Sequence, residues 1–167
     1  MARFEPDSVV TQSLLDRLID SEPANNSEAA MTRPQSVRAL KASLRRDLEW
    51  LLNTRRNPDE ADDHYPELKK SLFNYGFPDF SNFTFSSPRD RIRLVKVLEE
   101  AVRVFEPRME AVRVVLLDAD ASGQEINRSV RFQIEGLLKM DPAPEQVCFD
   151  TVLSLTSGEY KVKGDKS

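Results

Sequence analysis

The chain has 167 residues, 40% of them hydrophobic and 31% charged, a balance that suits a folded protein and argues against intrinsic disorder. A net charge of −4 gives no reason to expect a nucleic-acid partner, whose binders carry basic patches. The lone Cys148 leaves no internal disulfide, residues 1–6 lack a signal-peptide layout, and no apolar run approaches the ~20 residues that span a bilayer. A soluble cytoplasmic protein without direct membrane insertion is expected.

The first amphipathic stretch covers residues 8–20, with Val10, Leu14, Leu15, Leu18 and Ile19 as its stripe and Asp7 or Ser8 as its cap. Such a stripe must dock on its own domain or on a partner. Residues 21–32 are polar and turn-rich, and read as a flexible linker. The expected division is therefore residues 1–32 as helix and linker, 33–163 as the main domain and 164–167 as a polar tail.

Pro34 opens a second helix whose apolar face is Val37, Leu40, Leu44, Leu48, Leu51 and Leu52. Arg38, Lys41, Arg45, Arg46, Asp47 and Glu49 form the other face, which reads as solvated. Trp50 is expected as a core or interface anchor. Arg55 and Arg56 suit the negative end of the helix dipole, and Asn57 with Pro58 stops the helix. Asp59, Glu60, Asp62, Asp63 and His64 are metal-ligand types, but without a cysteine or second histidine nearby they read as a solvated acidic loop. In residues 65–86, Tyr65, Phe73, Tyr75, Phe77, Phe80, Phe83 and Phe85 read as anchors pinning an irregular stretch to the core. Gly76 fits a left-handed cap there, and Pro78 a stop.

A third helix begins with Ser87 as cap, Pro88 in the first turn and Asp90 completing a capping box. Ile92, Val95, Leu98, Val102 and Phe105 recur at helical spacing. Pro107 cannot extend the helix and biases Glu106 away from helical geometry. Glu106 and Arg108 thus stand as opposite charges at a rigid corner, which from the residues alone is an ordinary helix stop with solvated charges. Three strands follow. Val112, Val114 and Leu116 share a face of the first, and Val130, Phe132 and Ile134 a face of the second. Val147, Phe149, Thr151, Leu153 and Leu155 share a face of the third, at 147–156. A turn is expected at Asp141, Pro142, Ala143 and Pro144, and a turn or bulge at Ser157 and Gly158 before Tyr160 and Val162. The fold class is α+β: helices packed on a small antiparallel sheet, with an N-terminal helical arm.

Sites for chemistry are weak. Asp118, Asp120 and Gly123 imitate the front of an EF-hand loop, but Ser129 stands where a bidentate glutamate is needed and the flanks are strands. A glycosidase needs a pair of carboxylates, one with a raised pKa. Glu99, Glu100, Glu106, Asp118 and Asp120 are abundant rather than patterned, and Arg108 favours the ionised form of Glu106. No glycine loop cradles a phosphate. Neither catalysis, nor a cofactor, nor a metal is expected.

Three blocks occur in register: Leu48-Glu49-Trp50-Leu51-Leu52-Asn53-Thr54-Arg55, then Ser71-Leu72-Phe73-Asn74-Tyr75-Gly76-Phe77-Pro78-Asp79-Phe80, then Phe105-Glu106-Pro107-Arg108. Together they resemble the TssE family of type VI secretion baseplate proteins, related to the T4 phage baseplate wedge proteins that also carry a "lysozyme-related" label. The likeness runs from about Arg33 to the last strand. It implies a structural wedge component, cytoplasmic and facing the inner membrane, that binds TssF and TssG alongside TssK and helps template the TssB–TssC sheath. In that family the Glu-Pro-Arg triplet is associated with docking onto the wedge's core bundle, which here implies partner-binding roles for Glu106, Pro107 and Arg108. A phage-tail-type wedge protein and a peptidoglycan hydrolase are the alternatives. Two expectations follow: Glu106→Ala or Arg108→Ala leaves folding intact while assembly is lost, and the sheet edge near 147–162 recruits sheath strands by β-augmentation.

Overall fold

The computed structural model describes residues 9–19, 31–59, 61–62, 64–78, 87–117 and 129–165. Phe80, Phe83 and Phe85, the loop with Asp118, Asp120 and Gly123, and most of the expected linker lie outside them. Three helices, α1 (Leu14–Leu18), α2 (Arg33–Asn53) and α3 (Pro88–Phe105), precede four strands, β1 (Met109–Leu117), β2 (Ser129–Leu138), β3 (Glu145–Ser154) and β4 (Tyr160–Asp165). The strands form one antiparallel sheet in sequence order, so the expected α+β architecture is present with one strand more than the three expected. Short 3₁₀ turns at Pro66–Lys70 and Leu72–Asn74 carry the chain from α2 towards α3.

Both long helices cover the same sheet face, α3 against β1 and α2 against β4. The core lies between them. Leu40, Leu44, Leu48, Leu51 and Leu52 of α2 meet Phe132, Ile134, Val147, Phe149 and Leu153 of the sheet, as period-two alternation requires. In α3 the buried stripe is Leu94, Leu98 and Val102, each fully buried, while Ile92 is 59% exposed. The expected face was therefore rotated: Leu94, not Ile92, continues the spacing of Leu98 and Val102. Each fully buried aliphatic contributes roughly 1.5–3 kcal/mol.

Two local devices shape the sheet. Ala111 has φ of 50°, and the β1–β2 register shifts between Glu110 and Arg113. This bulge adds one residue, so that Met109 on one side of it and Val114 on the other both turn inward. Gly136 in β2 makes room for the first of these, since a Cβ there would come within 2.8 Å of Met109 Cε. A second glycine is equally constrained: Gly76 has φ of 104°, and a Cβ would meet the Thr54 carbonyl oxygen at 2.5 Å. That close approach lets Phe77 N donate to Thr54 O and Arg56 N donate to Phe77 O, tying the loop to the end of α2.

Other helix ends correct the sequence reading. Ser13, rather than Asp7 or Ser8, caps α1, accepting from Asp16 N at 3.2 Å. Ser87 occupies the N-cap of α3, but its side chain makes no capping bond. The second helix stops at Asn53, before Arg55 and Arg56, because Thr54 to Arg56 turns to pair with Phe77. Trp50 is 53% exposed and so is not in the core; the Arg46 guanidinium lies 5.0 Å from its ring centre.

Candidate functional site

The corner begins where α3 ends. Glu106 leaves helical geometry at φ −123° and ψ 74°, its N–H still donating to Val102 O at 2.8 Å. Pro107, which has no N–H to offer a further turn, sits exposed at the apex. Met109 N then donates back to Glu106 O at 3.1 Å, and Arg108 O accepts from Lys139 N at 2.8 Å, which starts β1. Backbone bonds on both sides thus fix the three residues.

Their side chains meet. Arg108 grips the buried Glu106 carboxylate with Nε to Oε1 at 2.5 Å and Nη2 to Oε2 at 2.6 Å, a two-pronged pairing that planar guanidinium and carboxylate groups favour. The same guanidinium reaches α2, donating to Asp47 Oδ2 at 2.6 Å and to Ser43 Oγ at 3.3 Å. Asp47 in turn accepts from Arg46 at 2.9 Å, and Arg46 reaches Asp16 of α1 at 2.8 Å. Five charges of alternating sign therefore run from the α3–β1 corner across α2 to the N-terminal arm. The hydrogen bonds that Arg108 donates to Glu106, with the charge of Glu106 and the bond to and charge of Asp47, outweigh burial and hold the guanidinium above its ordinary pKa. Burial pushes the nearby Tyr75 hydroxyl up, and the charges of Asp47 and Glu106 add to this.

Glu106 and Arg108, expected together, are brought together. Asp47 and Arg46 are a correction: the expected solvated face gives way here to the middle of the network. Ser43 and Asp16 were missed as well. A polar residue one turn from another on the edge of an apolar stripe was the available signal, but only tertiary packing names its partner. The geometry also replaces the expectation that Arg108→Ala leaves folding intact. Glu106 has a side chain only 6% exposed, and removing Arg108 would leave its charge buried and unpaired.

The second expected docking element, the sheet edge, is narrower than foreseen. β3 is interior, so the open edges are β1 and β4. Each meets a side chain from the helix above it. On β4, Tyr160 N donates to Asn53 Oδ1 at 2.9 Å, Asn53 Nδ2 donates back to Tyr160 O at 2.9 Å, and Arg45 donates to Val162 O at 3.4 Å. On β1, Val114 N donates to Glu99 Oε1 at 3.0 Å, so Glu99 is turned to the strand and not to solvent. Satisfying outward backbone groups in this way blunts an edge.

The other candidates are local pairs. His64 Nδ1 lies 2.7 Å from Asp62 Oδ1, both exposed, while Glu60 and Asp63 lie outside the described residues. Glu100 pairs with Arg103 at 2.8 Å. Among the described residues no group of His, Cys, Asp and Glu is placed to hold a metal ion.

Residues 38–143 fit the family described as baseplate wedge protein gp25. The chain belongs to the baseplate wedge family. Neither curated proteins nor solved structures give a match. The matched segment runs from α2 through the corner and β2 to the turn before β3, so it holds the Arg108–Asp47 contact but not the Asp16 arm. No helix among the described residues is long and apolar enough to cross a membrane.

Proposed function

We propose that this wedge-family protein is a structural component of a type VI secretion baseplate, acting in the cytoplasm at the baseplate facing the inner membrane. In this reading residues 33–163 form the wedge-like domain, which binds TssF and TssG alongside TssK. It also helps template the first layer of the TssB–TssC sheath. The observation that carries the docking role is the Glu106-Pro107-Arg108 corner, where a quarter-exposed guanidinium is held in one orientation beside an exposed proline. Glu106 is a positioning residue: its carboxylate fixes the fork, and the partner meets Pro107 and the open side of Arg108. A preoriented charged group gives register and specificity at an interface more than raw affinity.

Strand addition to the sheath is assigned to β4. Its outward groups at Tyr160 are held by Asn53, so a new strand starts nearer Gly164 or displaces Asn53. The match to a phage baseplate wedge description favours a second reading, in which the same corner serves a phage-tail-type baseplate.

The test is a pull-down with co-expressed TssF and TssG, comparing wild type with the double variant Glu106→Leu/Arg108→Met. Replacing both partners by apolar groups avoids the stranded charge that a single alanine leaves. Wild-type retention with loss in a folded double variant supports the corner's role. Equal retention removes the corner from the mechanism, and no binding by wild type turns the assignment towards the phage-tail reading.

A further inference from the structure

Between α3 and the 3₁₀ turns lies an open cleft of about 760 Å³. Among the described residues, Arg56, Lys69, Lys70, Arg93 and Lys96 stand around it, with Glu100 the one carboxylate in its lining. All five cations are exposed. The sign is out of character for the molecule, because the whole chain has 28 acidic and 24 basic residues. Glu100 is engaged by Arg103 at 2.8 Å, and on the rim Lys70 has Glu67 at 3.6 Å, an exposed pair of the kind that contributes little.

The floor differs in kind from the rim. Val97, Ala101 and Val104 of α3 face the cleft together with Phe105. Helical spacing sets this up: these positions flank the fully buried Leu94, Leu98 and Val102, so α3 has a second, half-exposed apolar stripe beside its core stripe. A cationic rim over an aliphatic floor selects a ligand that is acidic on one side and apolar on the other. Polynucleotide grooves instead combine cations with aromatic stacking platforms. Among the described residues the floor has one aromatic ring, Phe105, already packed edge-on to Tyr75 with ring centres 5.3 Å apart.

We propose that this cleft binds an acidic amphipathic segment of a protein partner, its carboxylates on the Lys–Arg rim and its aliphatic side chains on the α3 floor. This is a surface separate from the Glu106–Arg108 corner, and it does not depend on the wedge reading, because the test uses no wedge protein.

The test measures fluorescence anisotropy of a labelled synthetic peptide, with glutamates on one helical face and leucines on the other, titrated with the full chain. Wild type is expected to bind, more weakly as salt rises. Lys70→Glu/Lys96→Glu is expected to lose roughly tenfold in affinity, from two exposed charges reversed, with its melting temperature unchanged. Lys70→Gln/Lys96→Gln is expected to fall between. A peptide with lysine for every glutamate should prefer the reversed variant to wild type, an exchange that simple damage to the fold does not produce. The proposal is overturned if wild type ignores the acidic peptide or if charge reversal leaves its affinity unchanged. Tighter binding of a single-stranded oligonucleotide than of the peptide overturns it as well.

Discussion

The α1 and α3 helices carry the same kind of pattern and dock in opposite ways. α3 buries Leu94, Leu98 and Val102 and, Glu99 apart, points its charges outward. α1 leaves Leu14 and Leu18 at 76% and 81% exposure, and holds on through Asp16 to Arg46 and through Val10 N to Ser36 Oγ at 3.1 Å. The sizes of the two effects explain this. A long helix gains from each aliphatic it removes from water, whereas a single turn is far below the ~12–15 residues an isolated helix needs and forms only where a cap and a tether hold it. An amphipathic pattern shows that two faces differ. It does not show which face meets the body.

The sharpest way to break that comparison is on the α3 side. Leu98→Ala should cost about 3 kcal/mol, because Leu98 is completely buried between two helices and a sheet. Urea denaturation should show a lower midpoint with the slope unchanged, and a cost under about 1 kcal/mol would mean that burial is not what holds α3. The charged corner comes next. Arg108→Ala should cost about 3 kcal/mol, at the low end for a broken buried pair because Arg108 keeps some solvent contact. In Glu106→Leu/Arg108→Met most of this loss should return. If the double variant is no better than the single, the damage lies in packing at the corner and not in a stranded charge.

How much of this was legible follows the same division. The sheet faces could be read because side chains in a strand alternate with a fixed period: Val147, Phe149, Thr151 and Leu153 all lie where alternation places them. The α3 stripe was read with one error, since Ile92 and Leu94 both fit a helical spacing and only the packing partner decides between them. The corner was legible as backbone, because Pro107 must end a helix wherever it falls. Its electrostatics were not, because Asp47 and Arg108 are 61 residues apart. The edge roles of Asn53 and Glu99 were hidden for the same reason: a single polar side chain on a helix gives no sign of the strand it will meet.

The buried side of the comparison holds one flaw that should respond to repair. Thr151 faces the core in β3 at 1% exposure, and its hydroxyl has no hydrogen-bond partner among the described residues. A buried polar group left unpaired is costly, and valine has nearly the same shape without the hydroxyl. Thr151→Val should therefore stabilise the protein by about 1 kcal/mol, raising the melting temperature by about 2–4 °C for a chain of this size. A lower melting temperature would show that the hydroxyl has a partner the fold depends on.

The smallest effect belongs to α1, and it must be read locally. Asp16→Ala removes a tether whose partner Arg46 keeps 27% of its side chain in solvent, so the global loss should be no more than about 1 kcal/mol. The arm itself should respond far more, with the helical carbon shifts of residues 14–18 collapsing to random-coil values in an NMR spectrum. Acid offers the same test without a mutation. Burial raises the Asp16 pKa, but hydrogen bonds from Ser13 and Arg46, with the charge of Arg46, outweigh it and hold the group below its ordinary 3.8. A carboxyl depressed on folding contributes its stability in full above the unfolded value and loses it as the pH falls through the folded one. The arm should therefore stay docked down to pH 3.8 and release below it, sooner in high salt, while the core of α3 is still intact. If residues 14–18 keep their helical shifts in Asp16→Ala, the leucines and not the carboxylate hold the arm, and the contrast between the two helices disappears.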